Sequence, residues 1–299
     1  MKSLPISIVI PTYNRAKIIS ATLDSILSQT YHCWECIIID DQSLDETKRV
    51  VQKYVERDGR FRLDSNKRKK GAQGARNTGI LLAKYDWIIC FDSDNTMHPD
   101  MLAKLADKIL DDVDVVQCFS KMIDANTREV IGVQHWISEG YIHRKLFYVQ
   151  GTSWETYVDF NQSIVRRSKL LEIGLLDEDC PSMQEWDTHI RLSNISRYTT
   201  IQVPLLDYFL NGKDAITSDK KREVAGRIYI LQKYIEEWRE DSVVLRNFLF
   251  QICIYIHGCK GLGYRIKTFW HLINVEPHAL FVVLLFWKKK IVRFVQTRL

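Results

Sequence analysis

Two carboxylates stand one residue apart, Asp92 and Asp94, directly after the apolar run Trp87-Ile88-Ile89-Cys90-Phe91. On extended chain both side chains would point to one side, with Cα atoms about 6.5 to 7 Å apart. Two acids so placed repel unless a cation lies between them. A hard divalent ion, Mg2+ or Mn2+, takes oxygen ligands and bridges readily to phosphates. Asp92-Ser93-Asp94-Asn95 is also good turn chemistry, and those four residues alone favour a solvated turn. A second acidic stretch, Gln184-Glu185-Trp186-Asp187-Thr188-His189-Ile190-Arg191, has a helical pattern. There Glu185 and His189 share a face, while Asp187 points away and would pair with Arg191, four residues on, at the helix surface. Glu185 is of the type that serves as a general base. Yet Ser182-Met183-Gln184-Glu185 has the S-x-x-E form of a capping box and could simply start the helix. His143 and His189 are further candidate metal ligands, although a lone histidine is more often packed or exposed without such a role.

Such groups need elements to hold them. Strand patterns run over Ile6–Ile10, Cys36–Ile39, Arg60–Leu63, Trp87–Phe91 and Val113–Val116. Between them lie helical faces, Ile18, Ile19, Thr22, Leu23, Ile26 and Leu27 in one, Val50, Val51, Tyr54 and Val55 in another. Strand and helix alternating through short connections predict a mostly parallel, doubly wound α/β sheet. Ligands of such sheets bind at the carboxyl ends of strands, where Asp92-Ser93-Asp94 and Asp40-Asp41 both fall. The phosphate loops G-x-G-x-x-G and G-x-x-x-x-G-K-[ST] are absent, which argues against a plain dinucleotide-binding dehydrogenase or a P-loop kinase. Residues 121–160 lose the alternation and are rich in aromatics. They are either substrate loops or a hairpin packed on the sheet edge. From Asp219 onward the pattern is helical, over Lys220–Glu240, Val243–Ile256, Tyr264–Ile273 and Pro277–Thr297.

At 299 residues and 46% hydrophobic, the chain can form a large core, and one α/β domain plus an extension is expected. The seven cysteines are an odd number, several inside apolar runs, which suggests a reducing compartment. Cys33 and Cys36 form a CxxC with no second pair for zinc, so they read as buried thiols, with a redox role a distant second. Met1-Lys2-Ser3-Leu4 leads straight into a strand with no signal-like apolar region. The longest apolar run, Ala279–Trp287, is too short to span a bilayer. Charge is uneven: from Val244 to Leu299 there are nine Lys or Arg and one acid, Glu276, a net +8 against +5 for the whole chain. The basic residues flank the apolar run, so an anionic membrane surface fits this tail better than nucleic acid does. The other reading of the tail is a cap on the domain or a homodimer interface. The expected location is cytoplasmic, peripheral at the inner face of the membrane.

Five segments occur in order: ISIVIPTYNR (6–15), IIIDDQSLDET (37–47), GAQGARNTGI (71–80), CFDSDN (90–95) and QEWDTHIRL (184–192). Together they resemble the family 2 glycosyltransferases, an inverting group with a GT-A fold, over about residues 4–210. Two departures stand out. The family's second motif usually reads D-D-G-S-T-D, where this chain has Gln42 and Leu44 in place of Gly and Thr. Its last motif often carries Glu-Asp or Gln-Asp, where this chain has Gln184-Glu185. The resemblance implies a Rossmann-like, mostly parallel central sheet flanked by helices, with a C-terminal helical extension. It implies that Pro11, Tyr13 and Asp41 line the nucleobase pocket, that Arg76 and Asn77 face the nucleotide, and that Asp92 meets the ribose or the ion. Asp94 would ligate Mn2+ or Mg2+, and Glu185 would be the base, with Asp187 as fallback. From the residues alone, Arg76 could equally be a surface cation and Asp41 the N-cap of the next helix.

The implied activity is transfer of a sugar from a UDP-sugar to a hydroxyl of a glycan or lipid-linked acceptor, in surface polysaccharide or glycoconjugate synthesis. Residues 1–215 would form the catalytic domain, with the nucleotide-sugar half in about 1–120 and the acceptor half in 121–215. Residues 216–299 would form the extension. A sugar-nucleotide pyrophosphorylase is a rival reading, but it would carry a glycine-rich N-terminal loop and IPTYNRAK has no glycine. A catalytically inactive glycan-binding or scaffold protein is the other rival. Retention of Asp92, Asp94 and Glu185 argues against it.

Overall fold

The computed structural model describes residues 4–147, 159–210 and 219–286. Tyr148, Trp154 and Tyr157 of the irregular stretch, and Trp287, Lys288–Lys290 and Arg293 of the basic tail, lie outside the described residues. The chain falls into two compact units. One comprises Met1–His143, Tyr157–Glu178 and Glu185–Ala215, the other Arg144–Thr156, Asp179–Gln184 and Ile216–Leu299.

The first unit begins β1 (Ile6–Thr12), α1 (Ile19–Leu27), β2 (Trp34–Asp40), α2 (Thr47–Arg57), β3 (Phe61–Ser65), α3 (Ala72–Leu82) and β4 (Trp87–Cys90). It continues with β5 (Thr96–Met97), α4 (Met101–Lys108), β6 (Val115–Asp124), β7 (Val130–Gln134), β8 (Ser163–Arg166), α5 (Arg167–Glu172), α6 (Gln184–Ser193) and β9 (Tyr198–Leu210). The sheet order is β3-β2-β1-β4-β8-β6-β9-β5, with β7 on β6. β3, β2, β1 and β4 pair in parallel. β8 enters antiparallel between β4 and β6, while β6 and β9 pair in parallel. Strands β2 and β4 are buried along their whole length, which is why their sequences run apolar without alternating. The helix α1 buries Ile19, Thr22, Leu23 and Ile26, the face its periodicity marks.

Helix α3 lies directly on β1. A Cβ added at Gly79 would sit 2.2 Å from Cγ1 of Val9. Val9 is fully buried in a central strand and cannot retreat. Gly79→Ala is therefore expected to cost about 1–3 kcal/mol, the usual cost of overpacking, seen as a lower urea midpoint. An unchanged midpoint would mean that helix and strand do not approach so closely.

Residues 121–134 form the hairpin of β6 and β7, and β6 runs well past the expected Val113–Val116. Its alternation fails because Gln117 and Ser120 are carried into the interior. There Gln117 bonds Ser163 Oγ at 3.1 Å, and Ser120 Oγ accepts from Gln162 Nε2 at 2.7 Å. The thirteen-residue β9 has no counterpart among the strand patterns read from the sequence. Its register against β6 shifts near Phe119, which breaks any simple period of two.

The second unit contains α7 (Lys220–Lys233), α8 (Ile235–Arg239), α9 (Ser242–Gly258) and α10 (Leu262–Val275), and residues 279–286 are helical. The expected helix Lys220–Glu240 breaks at Tyr234. Asp219 and Asp241 cap α7 and α9, each accepting two backbone N–H groups. Trp238 stacks on Phe248 at 4.2 Å, and Phe147 meets Trp238 edge-on at 4.9 Å. The apolar tail segment is not buried all round: Val282, Val283 and Phe286 are buried, whereas Phe281 and Leu284 are exposed. Among the described residues no helix is long and apolar enough to cross a membrane. All seven cysteines are free thiols, and Cys33 alone is only half-buried.

Candidate active site

Because β1, β2 and β4 run parallel, their carboxyl ends, and the loops that leave them, share one edge of the sheet. β4 stops at Cys90, and the chain then turns at Ser93 and Asp94, so Asp92 and Asp94 are not on extended chain as expected. The turn is not a solvated one, since Ser93 and Asn95 are buried. Asn95 fixes it: its carbonyl accepts from Thr22 Oγ1 at 2.8 Å and its Oδ1 accepts from Phe209 N at 3.0 Å.

Arg76, on α3 and almost wholly buried, organises the acids. Its Nη2 donates to Asp92 Oδ1 at 2.6 Å, and its Nη1 lies 3.2 Å from Glu185 Oε1. The second contact is an ion pair without hydrogen-bond geometry. Burial works against the charge on Arg76, but Asp92 and Glu185 outweigh it and hold the guanidinium firmly protonated. On the other side of Asp92, Asn161 Nδ2 donates to Oδ2 at 2.8 Å, and Asn161 Oδ1 accepts from Asp92 N at 2.7 Å. Asp159 Oδ1 holds Asn161 through both its backbone and side-chain N–H groups, at 2.8 and 2.7 Å. Asp94 Oδ2 sits 3.6 Å from Arg15 Nη2.

Four carboxyl groups thus gather around two guanidinium groups. Burial, then the Asp92 charge, pushes Asp94 up to about 6, with Arg15 opposing. Burial, then the charges of Asp92 and Glu185, pushes Asp159 up to about 7. A site whose acids hold their protons this tightly is short of positive charge, and its hard oxygen donors fit a divalent cation. Among the described residues no group of three or more His, Cys, Asp or Glu could enclose a metal ion. The chain would therefore offer Asp92 and Asp94, and phosphate oxygens and water the rest, as Mg2+ commonly accepts.

The histidines contribute nothing to such a site. His189 is fully buried, its Nδ1 3.0 Å from Tyr198 Oη, and burial pushes it down to about 3. His143 Nδ1 faces Ser193 Oγ at 3.1 Å. Asp187 also departs from expectation. It does pair with Arg191, at 2.7 Å, but its side chain is 0% exposed and the pair is internal, not a surface one. Arg191 additionally donates to the carbonyls of Ile173 and Leu175, so Asp187 anchors a loop. The capping box does not form: α6 begins at Gln184, which places Glu185 second in the helix, and Ser182 Oγ has no hydrogen-bond partner among the described residues.

Asn77, expected at the nucleotide, has its side chain committed within the protein. Its amide is fully buried and engaged with Leu176 O, Leu176 N and Glu178 Oε1, all within 3.0 Å. Arg76 faces the carboxylates. Asp41 is not a helix cap, because α2 starts at Thr47. Its Oδ1 accepts from Asn66 Nδ2 at 2.7 Å and its Oδ2 from Gly71 N at 2.8 Å, which leaves lone pairs for another donor. Pro11 is half-buried at the end of β1, and Tyr13 is 42% exposed with Lys70 Nζ 5.0 Å above its ring. Gln42 has φ +67°. A left-handed residue is where glycine costs least, the physical reason a glycine would suit the position this chain fills with Gln. Arg15, Asp159, Asn161 and Tyr208 were not singled out by sequence. A lone Asp-x-Asn in an irregular aromatic stretch was the only trace of Asp159 and Asn161. Tyr208 is marked by structure alone: burial, then the charges of Asp159, Asp92 and Glu185, push its phenol well above its ordinary range.

The family model for glycosyl transferase family 2 matches residues 7–174. The chain belongs to glycosyl transferase family 2. It is 26% identical over 291 residues to the uncharacterized glycosyltransferase YibD of Escherichia coli K12, covering 92% of this chain and 81% of YibD. A shorter match, 42% over 90 residues, is to the E. coli UDP-Glc:alpha-D-GlcNAc-diphosphoundecaprenol beta-1,3-glucosyltransferase WfgD, covering 30% of this chain and 35% of WfgD. The crystal structure of Staphylococcus aureus TarS residues 1–349 with UDP-GlcNAc aligns with TM-score 0.68 at 17% identity, over 94% of this chain and 84% of that one. The fold of this family 2 glycosyltransferase is thus of the GT-A type. The family match spans the first four of the five motifs, which carry Tyr13, Asp41, Arg76 and Asp92, while the fifth, residues 184–192, lies beyond it.

Proposed function

We propose that this glycosyltransferase moves a hexosyl group from a UDP-sugar to a hydroxyl of a glycan or lipid-linked acceptor, with inversion. The observation that carries this reading is the Asp92–Arg76–Glu185 line beside Asp94, acids of different duty joined through one buried cation. The donor class is supported by UDP-GlcNAc bound to TarS and by the UDP-glucose named for WfgD. That WfgD acts on a diphosphoundecaprenol acceptor supports a lipid-linked acceptor and a place in polysaccharide synthesis. Asp41 accepts a hydrogen bond from the base edge, and Tyr13, exposed at the end of β1, offers a face for the nucleobase. Glu185 accepts the proton of the acceptor hydroxyl as its oxygen attacks the anomeric carbon and the bond to the diphosphate breaks. Arg76 Nη1, 3.2 Å away, holds Glu185 in place. Asp94 and Asp92 would hold Mn2+ or Mg2+, which when bound would offset charge on the leaving diphosphate. All of these groups lie in the first unit, which falls within residues 1–215 but leaves 144–156 and 179–184 to the second.

Thermal shift of the full chain with UDP, GDP and UTP, with and without Mn2+, followed by an assay of UDP released from UDP-glucose and UDP-GlcNAc, tests this. At a hundredfold excess over Kd a ligand stabilises by about 2.7 kcal/mol, and that gain is expected with UDP only when Mn2+ is present. Pyrophosphate made from UTP would indicate a pyrophosphorylase. Tight UDP-sugar binding with no UDP release, with or without a glycan acceptor, would indicate a binding protein.

A further inference from the structure

We propose that α10 is a docking surface for an anionic lipid bilayer. The helix exposes Leu262 (64%), Ile266 (50%) and Trp270 (62%), four residues apart, along one row. The adjoining side of the helix buries Phe269 and Leu272. Lys267 and His271, also exposed, form the neighbouring row. Single exposed apolar residues are ordinary, but a row that includes tryptophan beside a basic row is the pattern of a helix lying in a membrane interface.

The charges select the occupant. From Ser242 to Val275 there is no Asp or Glu, while Arg246, Lys260, Arg265 and Lys267 are all present. None of the four makes an ion pair among the described residues. Elsewhere in this unit cations are matched internally, as in Arg227–Glu223 and Arg239–Glu276. A second copy meeting this face through a two-fold axis would set cations against cations, with no acid of α9 or α10 to receive them. Anionic headgroups receive them, each basic residue near such a surface being worth about fivefold in binding. The next helix adds exposed Leu280, Phe281 and Leu284, and the sequence continues into Lys288, Lys289 and Lys290. This inference is independent of the proposed chemistry, since it uses none of the active-site groups.

Flotation of the full chain with vesicles of phosphatidylglycerol and phosphatidylcholine, beside vesicles of phosphatidylcholine alone, tests it. The chain is expected to float with the anionic vesicles only and to be largely released by high salt. Ile266→Ala combined with Trp270→Ala should weaken binding about tenfold or more, and Lys267→Glu about tenfold. Both variants should melt as the parent does, because these side chains are exposed. Equal binding to both vesicle types, or full binding by the double alanine variant, would overturn the assignment. So would a chain that ignores vesicles and sediments as a dimer that the double variant splits.

Discussion

Glu185→Gln is expected to lower turnover by about 10²- to 10⁴-fold, the usual cost of losing a general base, with little change in melting. The substitution keeps the side-chain volume and removes the charge that faces Arg76 at 3.2 Å. Arg76 retains its stronger contact, the 2.6 Å bond to Asp92, so the cluster stays assembled. Asp187→Asn makes the contrast. Asp187 is fully buried and holds Arg191, and breaking a buried pair from one side costs about 3–5 kcal/mol. That variant should melt much lower, yet turn over near normally while folded. Parent-like turnover in Glu185→Gln, or a base-like loss confined to Asp187→Asn at a temperature where it is folded, would move the proton-accepting role away from Glu185.

Asp94→Asn is expected to cost about 10²- to 10³-fold in turnover, the scale of a lost electrostatic contact to developing charge, and to make UDP binding indifferent to Mn2+. The apo protein should not become less stable. The folded Asp94 carboxyl is raised to about 6 by burial and by Asp92. A raised acid contributes its stability below its unfolded value of about 3.9 and loses it as pH rises through the folded value. At pH 7 the charged form is therefore the costly one, and the neutral amide relieves that cost. Near-normal turnover, with Mn2+ still sharpening UDP binding, would remove Asp94 from the ligand role.

Local order along the chain is enough to mark some elements and not others. The parallel half of the sheet is written as apolar runs, because strands covered on both faces need no polar positions. The faces of α1 and α2 are written at helical spacing for the complementary reason. The mixed half is not so written. Strand β6 carries Gln117 and Ser120 inward and depends on Ser163 and Gln162 to satisfy them, partners some forty residues away. A pattern that depends on distant partners has no local period to read.

The same division runs through the active site. Sequence alone marked Asp41, Arg76, Asp92, Asp94 and Glu185 as one set, through five short motifs in a familiar order, and the structure joins Asp92, Arg76 and Glu185. It also determined the basic character of the C-terminal helices. Tertiary structure decided what each group does to the next. It spent Asn77 on Leu176 and Glu178, turned Arg76 toward carboxylates, and buried Asp187. It brought Asp159 and Asn161 to Asp92 across 69 residues of chain, because β8 pairs beside β4 and sets the residues before it against the loop after β4. Residue type fixes which proton or charge a side chain can offer, and that is local. Burial and neighbours fix whether the offer is made to a substrate or to the protein itself, and those exist only once the sheet has formed.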